Sequence, residues 1–113
     1  MKKIISFLIC IVLLLVITGC DKKERTLDDI IKKNNYIVVD VREDYEYQSG
    51  HVKGSINIPY TKIDENVNLD KNKTILVYCK SGKRSKIAYD KLKKLNYDVV
   101  DLGAYDKVTL EKE

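Results

Sequence analysis

Residues 4–17 form an uncharged, apolar run, and everything after Cys20 is polar and Lys-rich with short apolar segments set into it. Thr26-Leu27-Asp28-Asp29 offers an N-cap with an acid at the third helical position, a variant of the capping box. Leu27, Ile30 and Ile31 then repeat at helical spacing until Asn34-Asn35 stops the helix. Tyr36-Ile37-Val38-Val39-Asp40-Val41 is a continuous β-branched run, the pattern of a buried parallel strand. Residues 42–49 are polar with Tyr45 and Tyr47 and predict a helical turn closed by Gly50. Residues 55–59 read as a short strand ending at Pro59. Within 60–73 the spacing predicts a short helix around 63–67 and then a turn at 70–73. Thr74-Ile75-Leu76-Val77-Tyr78-Cys79 is a second strongly apolar strand. Residues 85–95 follow as a helix with Ile87, Ala88, Leu92 and Leu95 on one side, and 98–102 form a last strand ended by Gly103. Strands alternating with helices predict an α/β fold: a mostly parallel central sheet of about five strands, flanked by helices on both faces.

The leader adds an address. Met1-Lys2-Lys3 is positive, and the uncharged 14-residue stretch 4–17, apolar but for Ser6, fits a signal-peptide core of about 7–15 better than the roughly 20 of a spanning helix. The closing Ile17-Thr18-Gly19-Cys20 resembles a bacterial lipobox. That resemblance implies cleavage before Cys20 and acylation of its sulfur, which divides the chain into a signal peptide (1–19), a lipidated Cys with its tether (20–25) and a domain (26–113). Multiple acyl chains would hold the domain on a membrane, at the extracytoplasmic face of a bacterial cell envelope. An ordinary cleaved signal or a short anchor helix are the alternatives.

Composition narrows the rest. A chain of 113 residues allows one domain. The net charge of +4 owes two units to Lys2 and Lys3, which leaves 19 basic against 17 acidic groups after the leader. With no long basic run or aromatic–basic interleaving, nothing here predicts a nucleic-acid partner. Of three cysteines, Cys10 lies in the leader and Cys20 at the lipobox, so Cys79 is the one thiol expected in the mature domain. Neither an internal disulfide nor a cysteine metal cluster is then expected, and a lone thiol in an oxidising compartment needs a use or a burial.

Cys79 lies where the strongest strand meets the strongest helix. Open α/β sheets bind ligands just outside the carboxyl ends of their strands. The connection Cys79-Lys80-Ser81-Gly82-Lys83-Arg84 contains a glycine that permits a tight loop with inward N–H groups, and the following helix adds its positive end. Lys80, Lys83 and Arg84 add charge. These features favour a thiolate, with a pKa below the free value of about 8.5. They also describe a pocket for a small oxyanion beside a nucleophile. A buried structural cysteine is the plainer alternative.

An ordered series of short motifs gives a resemblance. Asp40-Val41-Arg42-Glu43, Glu46-Tyr47, Gly50-His51, Gly54-Ser55, Asn57-Ile58-Pro59 and Val77-Tyr78-Cys79-Lys80-Ser81-Gly82-Lys83-Arg84-Ser85 together resemble the single-domain rhodaneses, which are sulfurtransferases. The likeness covers about residues 26–103. It implies a rhodanese-like fold, no cofactor and no metal. It also implies that a sulfane sulfur moves from a donor anion such as thiosulfate, through a persulfide on Cys79, to cyanide or a thiol. Lys80, Ser81, Gly82, Lys83 and Arg84 would form the anion-binding loop, with Arg84 bracing several loop carbonyls. Asp40 and Arg42 would support the rim as an ion pair, and His51 would be structural rather than a base for Cys79. A persulfide carrier or redox partner module is a second reading. A phosphatase or arsenate reductase is a third, set back because related phosphatases use Cys-x5-Arg whereas four residues separate Cys79 from Arg84.

Three smaller expectations complete the reading. The tyrosines should be half-buried with wet hydroxyls, and Lys91, Lys93 and Lys94 should form a solvated helix face. Ser85 is suited to cap its helix. Where the family commonly shows Gly-Gly and a Trp before a terminal helix, this chain has Gly103-Ala104-Tyr105, which predicts a short or missing terminal helix.

Overall fold

The computed structural model describes residues 25–113; the leader and Cys20, with the lipidation expected there, lie outside the described residues. Helix α1 (Leu27–Lys33) is followed by β1 (Tyr36–Asp40), a short α2 (Asp44–Gln48), and β2 (Ile56–Asn57). A 3₁₀ turn (Tyr60–Lys62), β3 (Thr74–Cys79), α3 (Lys83–Lys94), β4 (Asp98–Ala104) and a second 3₁₀ turn (Tyr105–Lys107) complete the order. The strands pair in the order β2-β1-β3-β4, all parallel. The sheet thus has four strands among the described residues, one fewer than the sequence pattern predicts.

The local chemistry accounts for these boundaries. Thr26 accepts the Asp29 N–H while the Asp29 carboxylate accepts the Thr26 N–H, closing the capping box, and Asn34 ends α1 in the left-handed region at φ 50°. Alternation along β1 and β3 then splits the core. Val39, Val41, Ile75, Val77 and Cys79 face α3, where Ala88 and Leu92 are fully buried. Val38, Leu76 and Tyr78 face α1 through Ile30, with Val52 and Val108 alongside. Helices on both faces are what a parallel sheet requires.

Several expectations need correction. Residues 63–67 are not helical. Asp64 accepts the Asn66 N–H with its side chain and the Val67 N–H with its carbonyl, a local turn that competes with helix, while Ile63 and Leu69 drop into the core. Gly103 does not end β4. It sits inside the strand at φ 80°, where pairing slips from Val77↔Asp101 to Tyr78↔Gly103, so Leu102 is the extra residue of a bulge. Ala104 has φ −79°, so the absence of a second glycine carries no strain. Tyr78 is fully buried, its hydroxyl accepting the Val52 N–H at 3.0 Å and pushed by burial up to about 12, while Tyr45 is 74% exposed; neither is half-buried. Lys91 is half-buried and donates to the Tyr60 carbonyl at 2.9 Å, leaving Lys93 and Lys94 on the solvated face.

After the second 3₁₀ turn the chain runs back beside residues 51–53. His51 and Glu113 exchange backbone hydrogen bonds at 2.9 and 2.8 Å, and Lys53 donates to the Glu111 carbonyl. Tyr105 stacks on Tyr78 with ring centroids 5.7 Å apart. This extended segment packs Val108 and Leu110 against the Val38, Leu76 and Tyr78 face of the sheet.

Candidate active site

The carboxyl ends of the strands bring Asp40, Asn57, Cys79 and Ala104 to one pole of the sheet. Cys79 is the last residue of β3, paired with Ala104, and its side chain belongs to the core beneath the N-terminus of α3. It has no solvent exposure. The loop above it turns at Gly82, whose φ of 98° suits glycine far better than any residue with a Cβ. That conformation aims the Gly82 N–H at the Cys79 Sγ, 3.0 Å away.

Burial pushes the Cys79 thiol up. The Ser85 N–H and hydroxyl, followed by the Gly82 and Ser81 N–H groups, more than offset this, and the net result lies below the ordinary cysteine value. The lowering thus comes first from the Ser85, Gly82 and Ser81 groups, in keeping with the inward N–H groups that the sequence predicts. Lys80, Ser81 and Lys83 are exposed around the loop. Ser85 is not the helix cap: Gly82 occupies that position, and the fully buried Ser85 hydroxyl lies 3.1 Å from the Gly82 carbonyl, so its single proton serves either that oxygen or the Cys79 sulfur. Iodoacetamide should accordingly label Cys79 with a pH midpoint below that of the unfolded chain, since the reactive thiolate forms as pH rises through the lowered value. Ser85→Ala should move that midpoint upward, and labelling rate against pH for both proteins measures it.

Arg84 departs from expectation. Its guanidinium does not brace loop carbonyls; Nη1 donates to Glu46 Oε1 at 2.6 Å and Nη2 to Oε2 at 3.0 Å. Glu46 on α2 is the site residue that sequence reasoning missed as a partner. The Arg84 guanidinium drives its carboxyl from 4.5 down to about 2. The pair's contribution to stability is thus complete above about pH 4.5 and is lost as pH falls towards 2.

Asp40 and Arg42 form the ion pair that was anticipated, and it is almost wholly enclosed, with side chains 0% and 6% exposed. Arg42 Nη2 meets Asp40 Oδ2 at 2.6 Å and the Gly50 carbonyl at 2.6 Å, while its guanidinium carbon lies 4.6 Å from the Tyr105 ring centroid. Asn57 Nδ2 donates to the Asp40 and Arg42 carbonyls, tying β2 to the same corner. His51 faces elsewhere. Its Nδ1 donates to the Tyr47 carbonyl at 2.8 Å, its ring stacks on Tyr47, and Nε2 lies 3.2 Å from the Glu113 carboxylate. Both ring nitrogens are occupied away from the sulfur. Among the described residues no group of three His, Cys, Asp or Glu side chains could hold a metal.

Known proteins resemble this chain in sequence and fold. The family model of the rhodanese-like domain matches residues 24–110. Over 66 residues the chain is 39% identical to the thiosulfate sulfurtransferase PspE of Escherichia coli K12, a match covering 56% of this chain and 64% of that protein. Over 81 residues it is 38% identical to the tRNA uridine(34) hydroxylase of Rickettsia canadensis, covering 65% of this chain and 32% of the hydroxylase. The chain thus spans a third to two thirds of the length of these relatives. A solved structure of rhodanese with anions from E. coli superposes with a TM-score of 0.63 at 32% identity, covering 69% of this chain and 96% of that one. With the parallel sheet, the Cys79 loop and the matched span in agreement, this chain belongs to the rhodanese-like domain family.

Proposed function

We propose that the chain is a sulfurtransferase that carries a sulfane sulfur on Cys79. The Cys79 thiolate attacks the outer sulfur of thiosulfate. The S–S bond of the donor breaks, its electron pair leaves with sulfite, and a new S–S bond makes the Cys79 persulfide. Cyanide or a thiolate then takes the outer sulfur as thiocyanate or a new persulfide, and the electron pair of the cleaved bond returns to Cys79 Sγ. The observation that supports this most directly is the Gly82 N–H 3.0 Å from that sulfur, in a loop whose other N–H groups lower its pKa. The same dipoles suit a persulfide anion, because they stay fixed while charge moves outward by one atom. The lipobox-like leader supports a location at the extracytoplasmic membrane surface, anchored through Cys20.

The test is intact-mass measurement on the purified full chain after thiosulfate. The expected result is a gain of one sulfur atom at Cys79 with one sulfite released per protein, then its loss to cyanide as thiocyanate. No sulfur at Cys79 with any sulfane donor would sink the reading. The complete burial of Cys79 favours a second reading, a carrier that yields its sulfur only to a protein partner able to open the loop. Loading without turnover on cyanide or small thiols would identify that case. A phosphatase or arsenate reductase fits less well, since the guanidinium it would use is already engaged by Glu46.

A further inference from the structure

Arg84 spends both ends of its fork on one carboxylate. Glu46 is itself pinned, because Oε1 also accepts the Glu43 N–H at 3.1 Å at the start of α2. The two side chains are 25% and 14% exposed, so water competes poorly for them. Arg84 lies two residues beyond Gly82 in the first turn of α3, close enough for charge on Cys79 to bear on it. A guanidinium there could grip a tetrahedral oxyanion in the same two-pronged geometry that it uses for a carboxylate. One fork cannot serve both at once.

We propose that Glu46 is a positioning residue that sets how tightly the Cys79 site holds oxyanions: by occupying the Arg84 fork, it leaves thiosulfate, sulfite and phosphate to the loop N–H groups alone. Phosphate then competes weakly for the cup, and sulfite leaves readily once its sulfane sulfur has been transferred. This rests on the reading of Cys79 as the sulfur-carrying centre and adds a residue to it that acts only through Arg84.

The experiment titrates inorganic phosphate against iodoacetamide labelling of Cys79 in the full chain, read on the peptide that carries Cys79. Glu46→Gln, which keeps the volume and removes the charge, should lower the half-protecting phosphate concentration about tenfold, the scale of a hydrogen bond to a charged group. The same variant should lower KM for thiosulfate and also kcat, because sulfite is retained. Glu46→Asp should keep the wild-type response, and the charge-balanced Glu46→Gln/Arg84→Gln should return to it. Unchanged or weaker protection in a folded Glu46→Gln overturns the proposal. Should that single variant fail to fold, the double variant decides, since a tenfold loss of protection there would show Arg84 already working on the anion. Sulfur loading of the wild type, measured alongside, separates the two ideas. Its failure removes the Cys79 reading and leaves the phosphate comparison intact.

Discussion

Cys79→Ser is expected to lower thiosulfate-to-cyanide turnover by roughly 10³-fold or more, the scale on which losing a nucleophile acts in enzymes. The reason is chemical before it is geometric. A serine hydroxyl is a weak nucleophile at its free pKa, and the site offers no base to activate it, since both His51 nitrogens are turned to Tyr47 and Glu113. The dipoles that suffice to ionise a thiol cannot ionise an alcohol. The fold should survive, because the smaller hydroxyl can still accept the Gly82 N–H. Steady-state turnover, thermal unfolding and intact mass after thiosulfate measure the three quantities. A variant that still turns over within tenfold of the wild type would move the chemistry away from position 79.

That residue was legible because its signals are local. The run Thr74–Cys79 is uniformly apolar, the strand ends at the thiol, and Gly82 follows within three positions. The capping box at Thr26 and Asp29 is likewise four letters long and appears as read. Asp40 and Arg42 pair across two positions of one strand end, so proximity in the chain gave proximity in space. What escaped depends on distance or on competition. Glu46 and Arg84 are 38 residues apart, and no periodicity links them. Ile63 and Val67 have helical spacing, yet the Asp64 side chain captures the backbone first. Gly103 was read as a terminator because glycine interrupts strands, but at φ 80° it serves a bulge that lets β4 continue to Ala104 beside the cup. The inward N–H groups of the loop were legible from Gly82, but the part that Ser85 plays beside the sulfur was not, because it depends on how Gly82 turns the chain.

Asp40→Ala should destabilise the domain by about 3–5 kcal/mol, the cost of leaving one partner of a buried ion pair uncompensated. Small domains have about 5–15 kcal/mol of stability in all, so this variant will stand close to unfolding at ordinary temperature. The loss is large because Arg42 has nowhere to go. Its side chain is 6% exposed, lies beside the Tyr78 and Tyr105 rings, and retains only the Gly50 carbonyl as a hydrogen-bond acceptor. Asp40→Asn keeps an acceptor for the Arg42 backbone and guanidinium N–H groups and should lose less. The effect should also reach the site. Val41 donates to the Tyr78 carbonyl, one residue before Cys79, and Asn57 is bound to the Asp40 and Arg42 carbonyls, so loosening this corner loosens the floor of the cup. Urea unfolding supplies the stability difference, and Cys79 labelling below the denaturation range shows whether the thiol has become more accessible. A loss under about 1 kcal/mol, the ordinary range of an exposed pair, would mean that Arg42 finds water or another partner when Asp40 is removed. Asp40 would then owe its burial to strand position alone, and the rim of the cup would be held by the Arg42–Gly50 and Asn57 hydrogen bonds rather than by charge.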